Sequence, residues 1–308
     1  MLDLNIHGYR IRIECYPTSP KSIDLVRLLE FDFHQFKVTP LTEQSQVNLR
    51  VRILESLKPP RFRIPILKRR KLIRFWSPGS KTWYQERDHY QAQFTLNPVR
   101  ALEVTFENLE SAHENVYLFL LSCIGEFFER RGLHRLHAVG YKNGPTAYVI
   151  PLNSGKGKST FSSWILENTE SLVVGDETLF TDGIQIWPFP IRRAIRKANS
   201  IDSGKQLKAW PADRVSLSSA PFKLVLFRDQ FSGLRFFWTF FWGLGNAQMI
   251  EYLVRWDTLF WLPRMALSRI RVFKQMQENL IELESWSRFP SENFQIIEKV
   301  QKDLRDSS

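Results

Sequence analysis

A short stretch near the middle of the chain has the pattern of a phosphate-binding loop. The apolar, strand-forming residues 147–150 come first, small residues follow them, and the helix-competent residues 159–166 come next. This order directs the N-terminus of a helix and a series of backbone N–H groups at one point, where phosphate oxygens are stabilised. The pattern therefore makes a nucleotide the first ligand to consider. The alternative is a glycine-containing turn that only joins a strand to a helix.

The residues of this loop have separate predicted roles. Lys158 is expected to reach the β- and γ-phosphates of a nucleotide, and the hydroxyl of Ser159 is expected to hold Mg²⁺. Leu152 stands where the usual pattern G-x-x-x-x-G-K-[ST] has its first glycine. If the backbone there requires a positive φ or a close approach to phosphate, leucine resists it. The predicted nucleotide-binding residues are Asn153, Ser154, Gly155, Lys156, Gly157, Lys158, Ser159 and Thr160.

A predicted β-hairpin precedes the loop and carries a histidine. Residues 136–141 and 146–150 are strand-forming, and Asn143-Gly144 between them is a strong hairpin turn signal. This hairpin puts His137 on a strand beside the loop. A single histidine near a turn is often structural, so a catalytic role and a packing role for His137 both stay open.

A pair of acidic residues follows the helix after the loop. Residues 172–174 are a predicted strand, and Gly175-Asp176-Glu177 comes at its end. Phosphoryl transfer to a hydroxyl requires a phosphate cradle, a carboxylate that holds Mg²⁺ and a base that takes the hydroxyl proton. The histidine, the loop and the acid pair together match that set of parts, although an Asp-Glu pair before a turn is also common in structural positions.

These segments resemble the catalytic core of HPr kinase/phosphorylase and its relatives. The resemblance covers L-H-A-V at 136–139, N-S-G-K-G-K-S at 153–159, V-G-D-E at 174–177 and P-F-P at 188–190. It implies a mixed α/β fold with a P-loop kinase core of the phosphoenolpyruvate-carboxykinase-like type. It also implies an enzyme that uses ATP and Mg²⁺ to phosphorylate a serine hydroxyl of a small protein or peptide.

The resemblance implies a role for each matching residue as well. Asp176 would be the catalytic base that accepts the serine proton, and His137 would assist it. Ser159 and Glu177 would bind the metal, with Glu177 standing where the family has a second aspartate. The glycine- and arginine-rich signature of the phosphorylase activity is not found in this sequence, so we expect kinase activity alone.

The chain length and the helical periodicity predict two domains. A chain of 308 residues is long enough for two domains. A strongly periodic helix is predicted at 115–130, and we place the boundary within it. The prediction is a smaller α+β domain at 1–128 and a nucleotide-binding catalytic domain at 129–308. Relatives of the resembled family often carry a poorly matching N-terminal region, so the first domain is expected to dock the substrate.

The C-terminal region is expected to end in helices. Residues 236–241 are interpreted as one further strand, and the pattern from 245 to 305 is helical, with breaks at Pro263 and Pro290. The apolar run 236–244 is too short to cross a bilayer, which needs about 20 residues. A buried element is therefore expected there, and attachment to a membrane surface is the less favoured alternative.

The composition indicates a globular protein with acidic partners. The net charge is +11, and the 24 Phe and 10 Trp can supply a large aromatic core. Residues 61–74 contain seven basic and no acidic side chains, which fits either the solvated face of strands or a surface for an acidic partner. No nucleic-acid-binding motif is found, so nucleic acid is the less favoured partner.

The cysteines and the first residues of the chain are informative about the cellular compartment. Cys15 and Cys123 lie far apart without His or Cys neighbours at ligand spacing, which argues against a disulfide framework or a zinc site. The first residues lack the pattern of a signal peptide, so a cytoplasmic location is expected. A homo-oligomer is left open.

Two functions follow from the sequence. The first is an ATP-dependent serine kinase. The alternative is a non-catalytic, nucleotide-binding scaffold protein in which Leu152 has degraded the phosphate loop.

Overall fold

The computed structural model describes most of the chain. The described residues are 1–16, 20–39, 45–58, 64–69, 72–77, 82–87, 90–95, 100–153, 155–196, 205–230, 233–242 and 262–306. Of the described residues between 64 and 90, only the backbone is described. The chain splits into two compact units, and within the described residues the division falls between Phe127 and Phe128.

The first unit is built on an eight-stranded mixed sheet. The sheet order is β1-β2-β3-β8-β7-β6-β5-β4, in which β2, β3 and β8 are parallel neighbours and the other pairs are antiparallel. Its elements in chain order are β1 (Leu2–Ile6), β2 (Tyr9–Tyr16), α1 (Pro20–Asp32), β3 (Val47–Ile53), β4 (Ile64–Arg69), β5 (Leu72–Ser77), β6 (Thr82–Arg87), β7 (Tyr90–Thr95), β8 (Arg100–Phe106) and α2 (Leu109–Glu129), whose last residues enter the second unit.

Alternating hydrophobicity explains strand β3. Leu49, Val51 and Ile53 are buried, whereas Asn48 and Arg52 are exposed. This period-2 pattern is that of a half-buried strand. Leu2, Leu4 and Ile6 of β1, which pairs with β2, are also buried; this strand was not predicted from the sequence.

The second unit contains the phosphate-loop pattern and a seven-stranded mixed sheet with an eighth strand beside it. The order is β12-β10-β11-β17-β14-β13-β9, and β18 pairs with β17. Its elements are β9 (His134–Leu136), β10 (Ala138–Asn143), β11 (Thr146–Pro151), α3 (Lys158–Asn168), β12 (Leu172–Gly175), β13 (Leu179–Thr181), β14 (Gln185–Trp187), β15 (Arg193–Arg196), β16 (Lys205–Lys208), β17 (Ala220–Phe227), α4 (Gly233–Trp242), α5 (Leu262–Gln277), β18 (Leu280–Leu283) and α6 (Pro290–Asp306). The predicted mixed α/β class is confirmed.

Helices cover both faces of this sheet. Ala147 and Val149 of β11 belong to one core cluster, which includes buried side chains of α4 and α5. Tyr148 and Ile150 of the same strand belong to a second cluster, which includes side chains of α3 and α6. A central strand that is buried on both faces explains why residues 147–150 are apolar without alternation.

Two predictions about the C-terminal region are wrong. Residues 236–241 were predicted as a strand but lie in α4, where Phe236 and Phe240, four residues apart, are both buried. A continuous apolar run cannot be assigned to a strand or a helix by periodicity alone. The region predicted as wholly helical contains β18, which pairs in parallel with β17.

The two prolines lie where described helices begin. Pro263 is in the first turn of α5, and Pro290 is the first residue of α6, which confirms the predicted break at Pro290. Proline is tolerated there because the first N–H groups of a helix have no partner within it. Within the described residues, no helix combines the length and the hydrophobicity that a membrane span requires.

The predicted strand at 136–141 is two strands separated at His137. β9 pairs with β13, whereas β10 pairs with β11 and β12, so the chain changes its neighbours at the histidine. The hairpin turn at Asn143-Gly144 is confirmed, because Asn143 pairs with Thr146 and Gly144 has a φ of 59°.

Candidate functional site

Several strands of the second unit end at one edge of its sheet. β11, β17 and β18 are parallel neighbours, and β12 runs in the same direction because β10 is antiparallel to both β11 and β12. The phosphate-loop pattern follows β11, Asp176 and Glu177 follow β12, Gln230 follows β17 and Trp286 follows β18. Ligands of open α/β sheets bind outside the carboxyl ends of the strands, so this edge is the candidate site.

Two glycines shape the loop between β11 and α3. Gly155 and Gly157 have φ values of 80° and 90°, in the left-handed region that favours glycine. Gly157 is the N-cap of α3, where it has no side chain that could cap the first N–H groups. These N–H groups have no partner within the helix, which is the property that anion binding uses. Ser154, which was predicted to take part in nucleotide binding, lies outside the described residues.

Leu152 anchors the loop in the hydrophobic core. Its side chain is fully buried and belongs to the cluster that contains Ile150, Phe161 and Ile165. The only described non-glycine residue with a positive φ is His7, so the backbone at Leu152 has no need for a glycine. The leucine at this position is therefore explained by packing.

Lys158 folds back across the loop. Its Nζ donates hydrogen bonds to Leu152 O at 2.7 Å and to Asn153 O at 3.3 Å. Burial lowers the pKa of Lys158 to about 8, while the negative charges of Glu177 and Asp176 oppose this shift. The electrostatic effect of both carboxylates on the ammonium group indicates that the loop and the acid pair meet at one place.

The buried Lys158 ammonium predicts a pH-dependent stability. Between about pH 8 and pH 10.5 the folded chain has released this proton and the unfolded chain has kept it, so raising the pH favours the folded state. We expect the free energy of unfolding of the wild type to rise by about 2–3 kcal/mol relative to that of Lys158→Met across this range. Below pH 8 both states are protonated, and the two curves should run parallel. Denaturant titrations at fixed pH values measure the difference, and curves parallel throughout would contradict a buried ammonium.

His137 is held in one tautomer beside the acid pair. Its Nδ1–H donates to the backbone oxygen of Glu177 at 2.8 Å, which leaves Nε2 as the acceptor nitrogen. Burial, the charge of Lys158 and the charge of Arg135 lower the pKa of His137 to about 4, although the bond to Glu177 opposes this. The imidazole is therefore neutral at neutral pH and able to accept a hydrogen bond through Nε2.

Close packing surrounds Gly175, the residue before the acid pair. A Cβ atom on Gly175 would lie 2.7 Å from Leu179 Cδ2 and 3.0 Å from Thr178 O, so only glycine fits before Asp176. Asp176 is 3% exposed, and Glu177 is half-buried. The structure thus holds one carboxylate inside the site and leaves the other closer to solvent.

The oxygen donors at this edge suit magnesium. Mg²⁺ is usually held by one or two carboxylates together with substrate phosphates and water, and it does not need a cage made of protein alone. Ser159, the second residue of α3, and the two carboxylates supply oxygen donors of this kind. Within the part of the chain that the structure describes, no group of three or more His, Cys, Asp and Glu side chains is arranged to hold a metal ion by itself.

Residues that follow β17 and β18 form hydrogen bonds with the loop. Trp286 Nε1 donates to Lys156 O at 2.9 Å, and its indole packs edge-on against Phe161 and Phe227. Asn153 Nδ2 donates to Gln230 O at 3.0 Å. Neither residue was predicted from the sequence, because no local pattern shows that β17 pairs with β11 and β18 with β17.

Arg235 is a further residue that the sequence analysis missed. It lies in the first turn of α4, and its Nη2 donates to Asn153 Oδ1 at 3.3 Å. Of the basic residues at 192–197, Arg192 is buried, the backbone of Arg193–Arg196 forms β15, and Lys197 lies outside the described residues. The side chains of the basic stretch 61–74 also lie outside the described residues.

No protein-family model matches the chain, and no curated protein matches it either.

Proposed function

We propose that the protein is an ATP-dependent kinase that transfers the γ-phosphate to a serine hydroxyl of a small protein or peptide. The observation that carries this proposal is the position of Lys158. Its ammonium bonds to the backbone of the loop and is influenced by the charges of both Asp176 and Glu177. A phosphate-binding lysine and two carboxylates at one sheet edge are the parts that phosphoryl transfer requires.

The binding step uses the loop and its lysine. The N–H groups at the start of α3 would donate to phosphate oxygens, and Lys158 would exchange the carbonyl oxygens of Leu152 and Asn153 for the β- and γ-phosphates. Ser159 and Glu177 would hold Mg²⁺, which neutralises charge on the phosphates when it is bound. Binding of this kind orients the γ-phosphate toward the end of β12.

Asp176 and His137 have different proposed roles in the transfer step. Asp176 would accept the proton of the serine hydroxyl while the oxygen attacks the γ-phosphorus and ADP leaves. His137 is neutral, and its Nε2 could accept a hydrogen bond from the same hydroxyl or from water. The first unit of the chain is our proposed docking region for the protein or peptide, as the resemblance to the HPr kinase family suggests.

The alternative is a nucleotide-binding scaffold protein without catalysis. The sequence argument for it was that Leu152 degrades the phosphate loop. The burial of Leu152 in the core weakens that argument, because the side chain points away from solvent and its backbone has an ordinary φ. Catalysis therefore remains our proposal.

The experiment is a transfer assay with labelled ATP. The protein is incubated with Mg²⁺, γ-labelled ATP and a library of short serine-containing peptides, alongside a matched library in which alanine replaces serine. We expect label on the serine library alone. Nucleotide binding without any transfer to serine peptides or to small serine-containing proteins would favour the scaffold alternative.

A further inference from the structure

Arg235 lies beside the entrance of the phosphate loop, in the first turn of α4. Its guanidinium donates to Asn153 Oδ1 at 3.3 Å, and Asn153 Nδ2 donates in turn to Gln230 O at 3.0 Å. The second bond fixes the orientation of the Asn153 amide, so that its oxygen faces the guanidinium. Asn153 therefore holds an exposed cation next to the loop.

The contacts of Asn153 also show at which end of the loop Arg235 lies. The backbone oxygen of Asn153 accepts a hydrogen bond from Lys158 Nζ at 3.3 Å. A lysine at this place in a phosphate loop contacts the β- and γ-phosphates. Because Asn153 contacts both cations, Arg235 lies next to the residue that also holds the ammonium group of Lys158.

We infer that Arg235 binds the terminal phosphate of the nucleotide and thereby distinguishes ATP from ADP, an inference that rests on the proposed function. The planar guanidinium can form two parallel, charge-assisted hydrogen bonds to phosphate oxygens. Such bonds are stronger than a 3.3 Å bond to the neutral amide oxygen of Asn153.

The test is calorimetric titration of Mg·ATP and of Mg·ADP into four proteins. These are the wild type, Arg235→Ala, Arg235→Lys and the control Arg228→Ala, which removes an exposed arginine that pairs with Glu282. We expect Arg235→Ala to raise the Kd for ATP by about tenfold or more and the Kd for ADP by less than about threefold. Arg235→Lys should lie between the wild type and the alanine variant, and Arg228→Ala should match the wild type.

The outcomes separate this inference from the proposed function. If the wild type binds neither nucleotide, the proposed function fails and the inference fails with it. If the wild type binds both and Arg235→Ala keeps the wild-type ratio of the two affinities, the inference alone is overturned. Thermal unfolding of each variant checks that the fold is intact, which we expect because Arg235 and Arg228 are exposed.

Discussion

Replacing Asp176 by asparagine is expected to lower phosphoryl transfer by about 10²–10⁴-fold while nucleotide binding survives. Asp176 is buried, and the close packing around the preceding Gly175 fixes the backbone from which its side chain extends. Asparagine keeps the shape and the hydrogen-bonding capacity of the side chain but cannot accept the serine proton. Removing a negative charge near the phosphates should not weaken nucleotide binding, because like charges repel.

The measurement pairs two quantities on the same protein. One is the rate of label transfer from γ-labelled ATP to a serine peptide, and the other is the affinity for Mg·ATP. The matched control is Asp213→Asn, since Asp213 is an exposed acid in the short 3-10 helix Ala212–Arg214. Full transfer activity in Asp176→Asn would remove Asp176 from the mechanism and leave His137 as the next candidate base.

Replacing Leu152 by alanine is expected to lower the free energy of unfolding by about 2–5 kcal/mol. The leucine side chain is fully buried among Ile150, Phe161 and Ile165, so its truncation leaves a cavity under the loop. Nucleotide affinity, measured where the variant is still folded, should change by less than about tenfold, because the N–H groups that bind phosphate belong to later residues of the loop.

Denaturant titration measures this loss of stability. The control is Leu217→Ala, since Leu217 is 41% exposed and its truncation should change the free energy of unfolding by less than about 0.5 kcal/mol. A loss at Leu152 no larger than at Leu217 would contradict the anchoring of the loop in the core. A large gain of nucleotide affinity in Leu152→Ala would instead support a degraded loop in the natural protein.

The parts of the site that local sequence patterns describe were predicted well. The strand before the loop, the helix after it and the strand before Asp176 lie within a few residues of the predicted positions. Each of these depends on the order of apolar residues, glycines and helix-forming residues over a short stretch. The order of residue types along a short stretch predicts such elements correctly when the tertiary contacts favour the same secondary structure.

The parts that depend on distant pairing were not predicted. Gln230 reaches the loop because β17 pairs in parallel with β11, and Trp286 reaches it because β18 pairs in parallel with β17; no local pattern contains either pairing. The core contacts of Leu152 were also not predicted, because comparing it with the glycine of a motif gives no information on packing. The aromatic run in α4 contains only one threonine, Thr239, and a single polar position does not reveal a helical period.

The central claim is that the loop after β11 binds nucleotide phosphates through Lys158. The most direct test is a titration of the wild type, Lys158→Met and the control Lys299→Met with a fluorescent ATP analogue in the presence of Mg²⁺. Lys299 is an exposed lysine of α6, so its replacement should leave the affinity unchanged. We predict that Lys158→Met loses about 1.5–3 kcal/mol of binding free energy, the scale of a charge-assisted contact. Equal affinities of the wild type and Lys158→Met would contradict the claim.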